Sequence, residues 1–97
     1  MQFHENVDYY TRAKHYAKHD IIYTEVGEAI NSTIAADWSW QWHEKHGYRF
    51  LGTGTTRRRK RVLMVLHPDD DNFDCYLPLA QWETWDGPWI AITAFPV

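Results

Sequence analysis

Two histidines one helical turn apart have a spacing that suits chemistry. His15 and His19 fall on one face of a predicted helix, and Arg12 lies beside them. Imidazole titrates near neutral pH, so either ring suits the role of general acid or base. A solvated helix face without a chemical role is an equal alternative. A third alternative is a zinc site, because His43 and His46 form a second pair that would complete four imidazole ligands.

A basic tract follows the glycine-containing segment "GTGTT". It holds five of the ten Lys and Arg residues of a chain whose net charge is −3, so the rest of the chain carries −8. A local basic ridge binds phosphate or an acidic partner even on an acidic protein. A solvated hairpin loop is nearly as good an interpretation, and a nuclear localisation signal has the same composition. The tract consists of Arg57, Arg58, Arg59, Lys60 and Arg61.

Three tryptophans alternate with polar residues in "WSWQWH". Strict alternation predicts a short strand with Trp38, Trp40 and Trp42 on one side. Such a row favours the core or an interface over a platform that stacks nucleic-acid bases. If that side is exposed, the row becomes an association patch, and a homodimer is then an open alternative.

Composition indicates one folded domain over residues 1–97. The chain is 44% hydrophobic and 16% aromatic, which excludes a disordered tail. The single Cys75 excludes an internal disulfide framework and fits a reducing compartment. No apolar stretch is long enough to cross a bilayer, and the N-terminal "MQFHENVDYY" lacks the features of a signal peptide. These observations predict a soluble, cytoplasmic protein.

The elements that must position these residues follow from two periodicities. Helical spacing predicts a first helix from Asp8 to His19 and a second from about Thr24 to Asn31, with Thr24 as its N-cap. Strand signals then follow in "WSWQWH", "YRFLGTG", "RVLMVLH", the weaker "FDCYLPLAQW" and "WIAITAF". The order predicts an α+β fold in which two N-terminal helices pack on an antiparallel sheet of three to five strands.

Three segments resemble the small RelE-fold toxins, and the BrnT-like branch in particular. "AKHYAKHDIIYTEVGEAI" is similar to the helical segment of that branch, and "YRFLGTGTTRRRKRVLMVL" is similar to its central hairpin. "WIAITAF" is similar to its last strand. The family often has an Arg where the last strand here has Phe95.

The resemblance implies a ribonuclease toxin that a cognate antitoxin neutralises. Toxins of this fold cut RNA or ribosome-bound RNA without a metal or cofactor, through attack of the ribose 2′-OH on the adjacent phosphate. The chemistry needs a base, cations for the phosphorane and an acid for the leaving oxygen. The implied catalytic residues are His19, Lys18, Arg49, Arg61 and Thr93; the implied RNA-binding residues are Arg12, His15, Arg57, Arg58, Arg59 and Lys60.

A rival hypothesis keeps the scaffold and drops the catalysis. The net negative charge, the Trp content and the Phe95 position are also compatible with a small regulator that binds a host or partner protein. The sequence leaves these two functions open.

Overall fold

A five-stranded sheet forms most of the fold in the computed structural model, which describes residues 6–97. The strands lie in the order β1-β5-β4-β3-β2. Neighbours are antiparallel except β1, which pairs in parallel with the start of β5, so the sheet is mixed. The strands are β1 (Val7–Asp8), β2 (Ser39–His43), β3 (Gly47–Thr55), β4 (Arg61–Pro68) and β5 (Trp89–Pro96).

Two helices connect the short β1 to the antiparallel strands. They are α1 (Ala13–Ala17) and α2 (Tyr23–Ser32), and a single 3-10 turn (Ala35–Asp37) leads into β2. The predicted α+β class, with two helices on a sheet, is confirmed. Within residues 6–97, no helix has the length and apolar character needed to cross a bilayer.

Helix α2 packs closely against one face of the sheet because the residue of β3 beneath it, Gly54, has no side chain. Val26, Ala29 and Ile30 of α2 are buried. The carbonyl oxygen of Ala29 lies directly above Gly54, where any Cβ atom would collide with it. The same carbonyl accepts a hydrogen bond of 2.6 Å from the hydroxyl of Thr33, the residue that follows the last residue of the helix.

The core on that face is aromatic. The rings of Phe50 and Trp89 stack with centroids 4.6 Å apart, and Trp38 stacks on Phe50 at 5.5 Å. Trp40 lies 5.8 Å from Trp89. The predicted placement of the three tryptophans on one side of β2 is confirmed, and two of them belong to the core. Trp42, at the far end of the strand, is 53% exposed.

The first predicted helix is wrong in its extent. Val7 and Asp8 form a strand, and helical structure begins only at Ala13. The carboxylate of Asp8 accepts hydrogen bonds from the backbone N–H groups of Tyr10 and Thr11, which closes a turn instead of a helix. The second helix begins at Tyr23, so the predicted cap at Thr24 is also wrong.

The predicted strand "FDCYLPLAQW" is not a strand. It forms a succession of turns between β4 and β5, in which the Asp74 carboxylate accepts the N–H of Tyr76. Pro78 lacks an N–H group, so this segment could not have completed a ladder. The prediction of no signal peptide rests partly on residues 1–5, which lie outside the described residues.

Candidate anion-binding cleft

A cleft of about 450 Å³ opens on the sheet face opposite α2. Phe50 and Leu66 face the core and pair with each other, so the adjacent Arg49 and His67 occupy neighbouring positions on the other face. Thr93 of β5 pairs with Val65 of β4 and belongs to the same face. The central strands therefore form the floor of the cleft.

Side chains from three other parts of the chain complete its walls. Arg12 and His15 extend from the α1 region, and His46 comes from the turn before β3. Cys75 and Tyr76 come from the turn segment between β4 and β5, where the Tyr76 hydroxyl donates to the carbonyl of Lys45 at 2.8 Å. That bond joins two walls of the cleft.

The cleft is electropositive, and three nitrogen atoms of its side chains lack hydrogen-bond partners within residues 6–97. Nε of Arg12, Nε of Arg49 and Nε2 of His67 are each buried and have no hydrogen-bond partner within residues 6–97. No Asp or Glu is among the residues that line the cleft. A buried donor without a partner costs about 1–3 kcal/mol, which an anion that accepts these hydrogen bonds would recover. The charge and hydrogen-bonding capacity of the cleft are therefore suited to an anion.

His67 is neutral at pH 7 in this environment. Burial lowers its pKa to about 4, and the positive charges of Arg49 and Arg12 act in the same direction. A neutral imidazole has one nitrogen able to accept a proton, so the ring keeps a capacity for proton transfer.

The position of Arg12 and His15 depends on how α1 docks. The guanidinium of Arg12 donates to Nε2 of His15 at 3.2 Å, so this nitrogen acts as an acceptor. The next residue, Tyr16, connects this region to β5: its hydroxyl donates to the carbonyl of Ala91 at 3.0 Å. The short helix is thus attached to the strand that carries Thr93.

The structure brings four of the predicted site residues together. Arg12, His15, Arg49 and Thr93 all line the cleft. His19 lies at its margin, because its ring packs 4.4 Å from that of Phe95, which also lines the cleft. Lys18, the residue that ends α1, is exposed and does not line it.

The basic tract lies elsewhere. Arg61 pairs with Thr55, six residues along β3 from Arg49, which corresponds to about 20 Å. Two members of the tract contact acids of α2: Arg57 lies 3.8 Å from Glu28, and Lys60 lies 3.2 Å from Glu25. The remaining members, Arg58 and Arg59, are exposed in the turn.

Four residues of the cleft with polar or ionisable side chains were not among the predicted site residues. His67 ends an apolar stretch, and only the pairing of β3 with β4 places it beside Arg49. The sequence suggested His46 as a zinc ligand alone. Cys75 and Tyr76 belong to a turn segment whose position depends on tertiary packing, and no local signal identifies them.

The zinc alternative finds no support among the described residues. The rings of His43 and His46 lie 4.7 Å apart. Within residues 6–97, however, no group of three or more His, Cys, Asp or Glu side chains has a geometry that could hold a metal ion.

A second cavity, of about 480 Å³, shares no lining residue with the cleft. Its lining includes Asp8, Asn31 and Asp69, and the carboxylate of Asp8 already accepts three hydrogen bonds from Tyr10 and Thr11. A cavity with two carboxylates repels phosphate, so it does not suit the chemistry that the cleft suits.

Comparison of the chain with protein-family models, with curated proteins and with solved structures finds no match.

Proposed function

We propose that the protein is a metal-independent ribonuclease that binds an RNA phosphate in the cleft. The observation that carries the proposal is the convergence of three buried, unpartnered nitrogens, from Arg12, Arg49 and His67, in a cleft without a carboxylate. Guanidinium groups match the geometry of phosphate oxygens and keep their charge at every physiological pH.

The chemistry assigned to the cleft is transfer of the phosphoryl group to the neighbouring hydroxyl. The ribose 2′-oxygen forms a bond to phosphorus while the bond from phosphorus to the 5′-oxygen breaks, which gives a 2′,3′-cyclic phosphate and a 5′-hydroxyl. An imidazole accepts the proton of the 2′-OH, and a protonated group gives one to the leaving oxygen. Arg12 and Arg49 stabilise the charge that develops on the non-bridging oxygens. The cleft supplies His15, His46 and His67 for the two proton transfers.

This assignment changes the residues expected from the RelE-like resemblance. The proposal keeps a direct role for four of them: Arg49, Arg12, His15 and Thr93. His19 lies only at the margin of the cleft. Arg61 and the basic turn lie too far away to touch the same phosphate, so they serve neighbouring phosphates of a longer RNA. A cognate antitoxin, RNA or the ribosome as substrate and a cytoplasmic location remain part of the proposal.

The test uses labelled single-stranded RNA, and separately translating ribosomes, in the presence of a chelator. We expect cleavage products that end in a 2′,3′-cyclic phosphate, and no cleavage when the 2′-hydroxyl is methylated. Arg49→Gln should reduce the rate by about 10²-fold, the usual effect of removing one group that stabilises a transition-state anion. Arg58→Gln, in the exposed turn, is the matched control when both variants are measured at saturating RNA. Absence of cleavage from both substrates, or an Arg49→Gln variant as active as the control, contradicts the proposal.

The rival function is binding of a partner protein. The tryptophan-rich surface available for such binding is smaller than the sequence suggested. Trp38 and Trp40 pack on the core, which leaves Trp42 on the edge strand β2, where its ring packs 4.8 Å from that of Tyr48. A stoichiometric partner that Trp42→Ala releases and Arg49→Gln retains would favour this function over the ribonuclease.

A further inference from the structure

We infer that the cleft binds a tetrahedral oxyanion on three side chains, Arg12, Arg49 and His67, and that His67 takes up one proton as the anion binds. The inference deepens the proposed function and rests on it only in identifying the anion as an RNA phosphate. The existence of the anion site stands on the geometry of the cleft.

The three side chains come from separate elements and line the same cleft. Arg49 and His67 occupy neighbouring positions on adjacent strands, as the pairing of Phe50 with Leu66 shows. Arg12 reaches the cleft from the residue before α1. Each contributes one buried nitrogen that has no hydrogen-bond partner within the described chain. Two guanidinium donors, with an imidazole that becomes a further donor when it is protonated, suit an oxyanion, which offers several acceptor atoms at once.

The groups that surround His67 explain why it binds no proton when the cleft is empty of anion. Arg49 faces it from β3, Arg12 and His15 from the α1 region, and His46 from the turn before β3. Two further titratable groups, Cys75 and Tyr76, line the cleft from the segment after β4. None of the lining groups is a carboxylate, so no negative side chain there stabilises an imidazolium. The ring of Phe73, 5.1 Å away, adds an apolar neighbour.

A bound dianion reverses this balance. It cancels the repulsion from Arg49 and Arg12, and it accepts a hydrogen bond from the imidazolium. The pKa of His67, which burial and the two arginines lower to about 4, must therefore rise on binding. The sign follows from linkage: because the complex holds one more proton than the free protein, affinity for the anion increases as the pH falls.

The proton has a use in the proposed reaction. An imidazolium formed by substrate binding carries the proton that the leaving 5′-oxygen requires when its bond to phosphorus breaks. His67 is then the acid, and His15 or His46 is left as the base that takes the 2′-OH proton. Substrate binding would thus generate the acid, because His67 of the free protein is not protonated near neutral pH.

The test measures His67 directly by NMR of imidazole nitrogens, with inorganic sulfate as the probe at constant ionic strength. Sulfate keeps two negative charges across this pH range, so any proton taken up belongs to the protein. We expect saturating sulfate to raise the pKa of His67 from about 4 by ~3 units, a size of shift known for buried groups, so that the imidazole holds a proton near neutral pH; the pKa of His43, outside the cleft, should rise by much less. Sulfate affinity should increase as the pH falls, by about tenfold per unit at most, the limit for one linked proton.

Variants separate the site from general screening by salt. Arg49→Gln should abolish the sulfate effect on His67, and Arg58→Gln should leave it unchanged. The sulfate affinity of His67→Asn should change less with pH than that of the unsubstituted protein, because only His15 and His46 then remain as imidazoles in the cleft. A pKa of His67 unmoved by sulfate, or moved equally in Arg49→Gln, overturns the inference. Proton-linked sulfate binding without RNA cleavage would leave the inference standing and sink the ribonuclease.

Discussion

The buried hydroxyl of Tyr16 donates a hydrogen bond of 3.0 Å to the backbone carbonyl of Ala91. Tyr16 belongs to the five-residue helix α1, and Ala91 lies in β5. Burial raises the pKa of Tyr16 well above its ordinary value, so the hydroxyl keeps its proton and remains a donor at every physiological pH. A helix this short has little stability of its own, so this contact determines where Arg12 and His15 lie.

Removal of that hydroxyl should therefore affect both stability and the cleft. Tyr16→Phe leaves the Ala91 carbonyl without this donor in a buried place, and we expect a loss of about 1–3 kcal/mol in the free energy of unfolding. Urea denaturation measures it. Tyr10→Phe, at a position that is 64% exposed, is the matched control and should change stability by less than ~0.5 kcal/mol. Equal stabilities of the two variants would show that the Tyr16 bond contributes nothing.

Gly54 should tolerate no side chain. A Cβ atom there would overlap the carbonyl oxygen of Ala29 and lie 2.5 Å from the hydroxyl oxygen of Thr33. Gly54→Ala therefore has to push α2 away from β3, and we expect it to destabilise the fold by about 1–3 kcal/mol or more. Gly27→Ala is the comparison: its Cβ would lie 3.1 Å from the Tyr9 ring, and alanine favours the helix by about 1 kcal/mol. Thermal unfolding of both variants distinguishes the two sites.

Lys60 should contribute to stability in a pH-dependent way. Its ammonium group donates to the carbonyl of Asp20 at 2.9 Å and lies 3.2 Å from Glu25. Burial alone would raise the pKa of Glu25, but hydrogen bonds from the Ile22 N–H and from Lys60 outweigh it and lower the pKa. This carboxylate therefore stabilises the fold above its ordinary pKa of 4.5, and that contribution disappears as the pH falls through the lowered value.

Lys60→Gln should accordingly cost about 0.5–1 kcal/mol at pH 7, the range for a partly exposed ion pair. The difference from the unsubstituted protein should shrink as the pH falls below 4.5. Lys14→Gln, at an exposed position of α1, is the matched control. Chemical denaturation at several pH values measures both. A loss that stays constant from neutral pH to well below 4.5 would assign the effect to the Asp20 contact instead.

The sequence predicted the central strands because their patterns are local. The alternation around Trp40 and the apolar residues after Arg61 each specify a strand, and the structure contains β2 and β4 there. Prediction from the sequence failed where a side chain disrupts the regular backbone hydrogen bonds of a helix or strand. Asp8 closes a turn where helical spacing was continuous, and Pro78 and Asp74 hold a turn segment where apolar residues suggested a strand.

The candidate site was predicted in part for a similar reason. Arg49 and Thr93 could be placed from strand patterns, since a buried neighbour indicates the face of each residue. His67 required the pairing of two strands, and Tyr76 required the packing of an irregular segment. The contacts of the basic tract could not be predicted either, because the number of charges in a segment does not show which residues lie beside it. Arg57 and Lys60 contact acids of α2 that are 29 to 35 residues away along the chain.

The last prediction separates the cleft from the basic turn in RNA binding. Arg58 and Arg61 are exposed and form no ion pair within residues 6–97, although Arg58 is close enough to Glu25 to help lower its pKa. Both side chains should therefore contact phosphates of a longer RNA outside the cleft. Removing both charges in Arg58→Gln/Arg61→Gln should weaken binding at low salt and reduce the slope of log affinity against log salt by about 0.7 per contact. The rate of cleavage at saturating RNA should stay unchanged, whereas Arg49→Gln should lower that rate. Fluorescence anisotropy with a noncleavable 2′-O-methyl RNA gives the slopes, and the labelled substrate gives the rates. A salt slope unaffected by the double substitution would remove the turn from the RNA-binding surface and leave its charge a role in solvation alone.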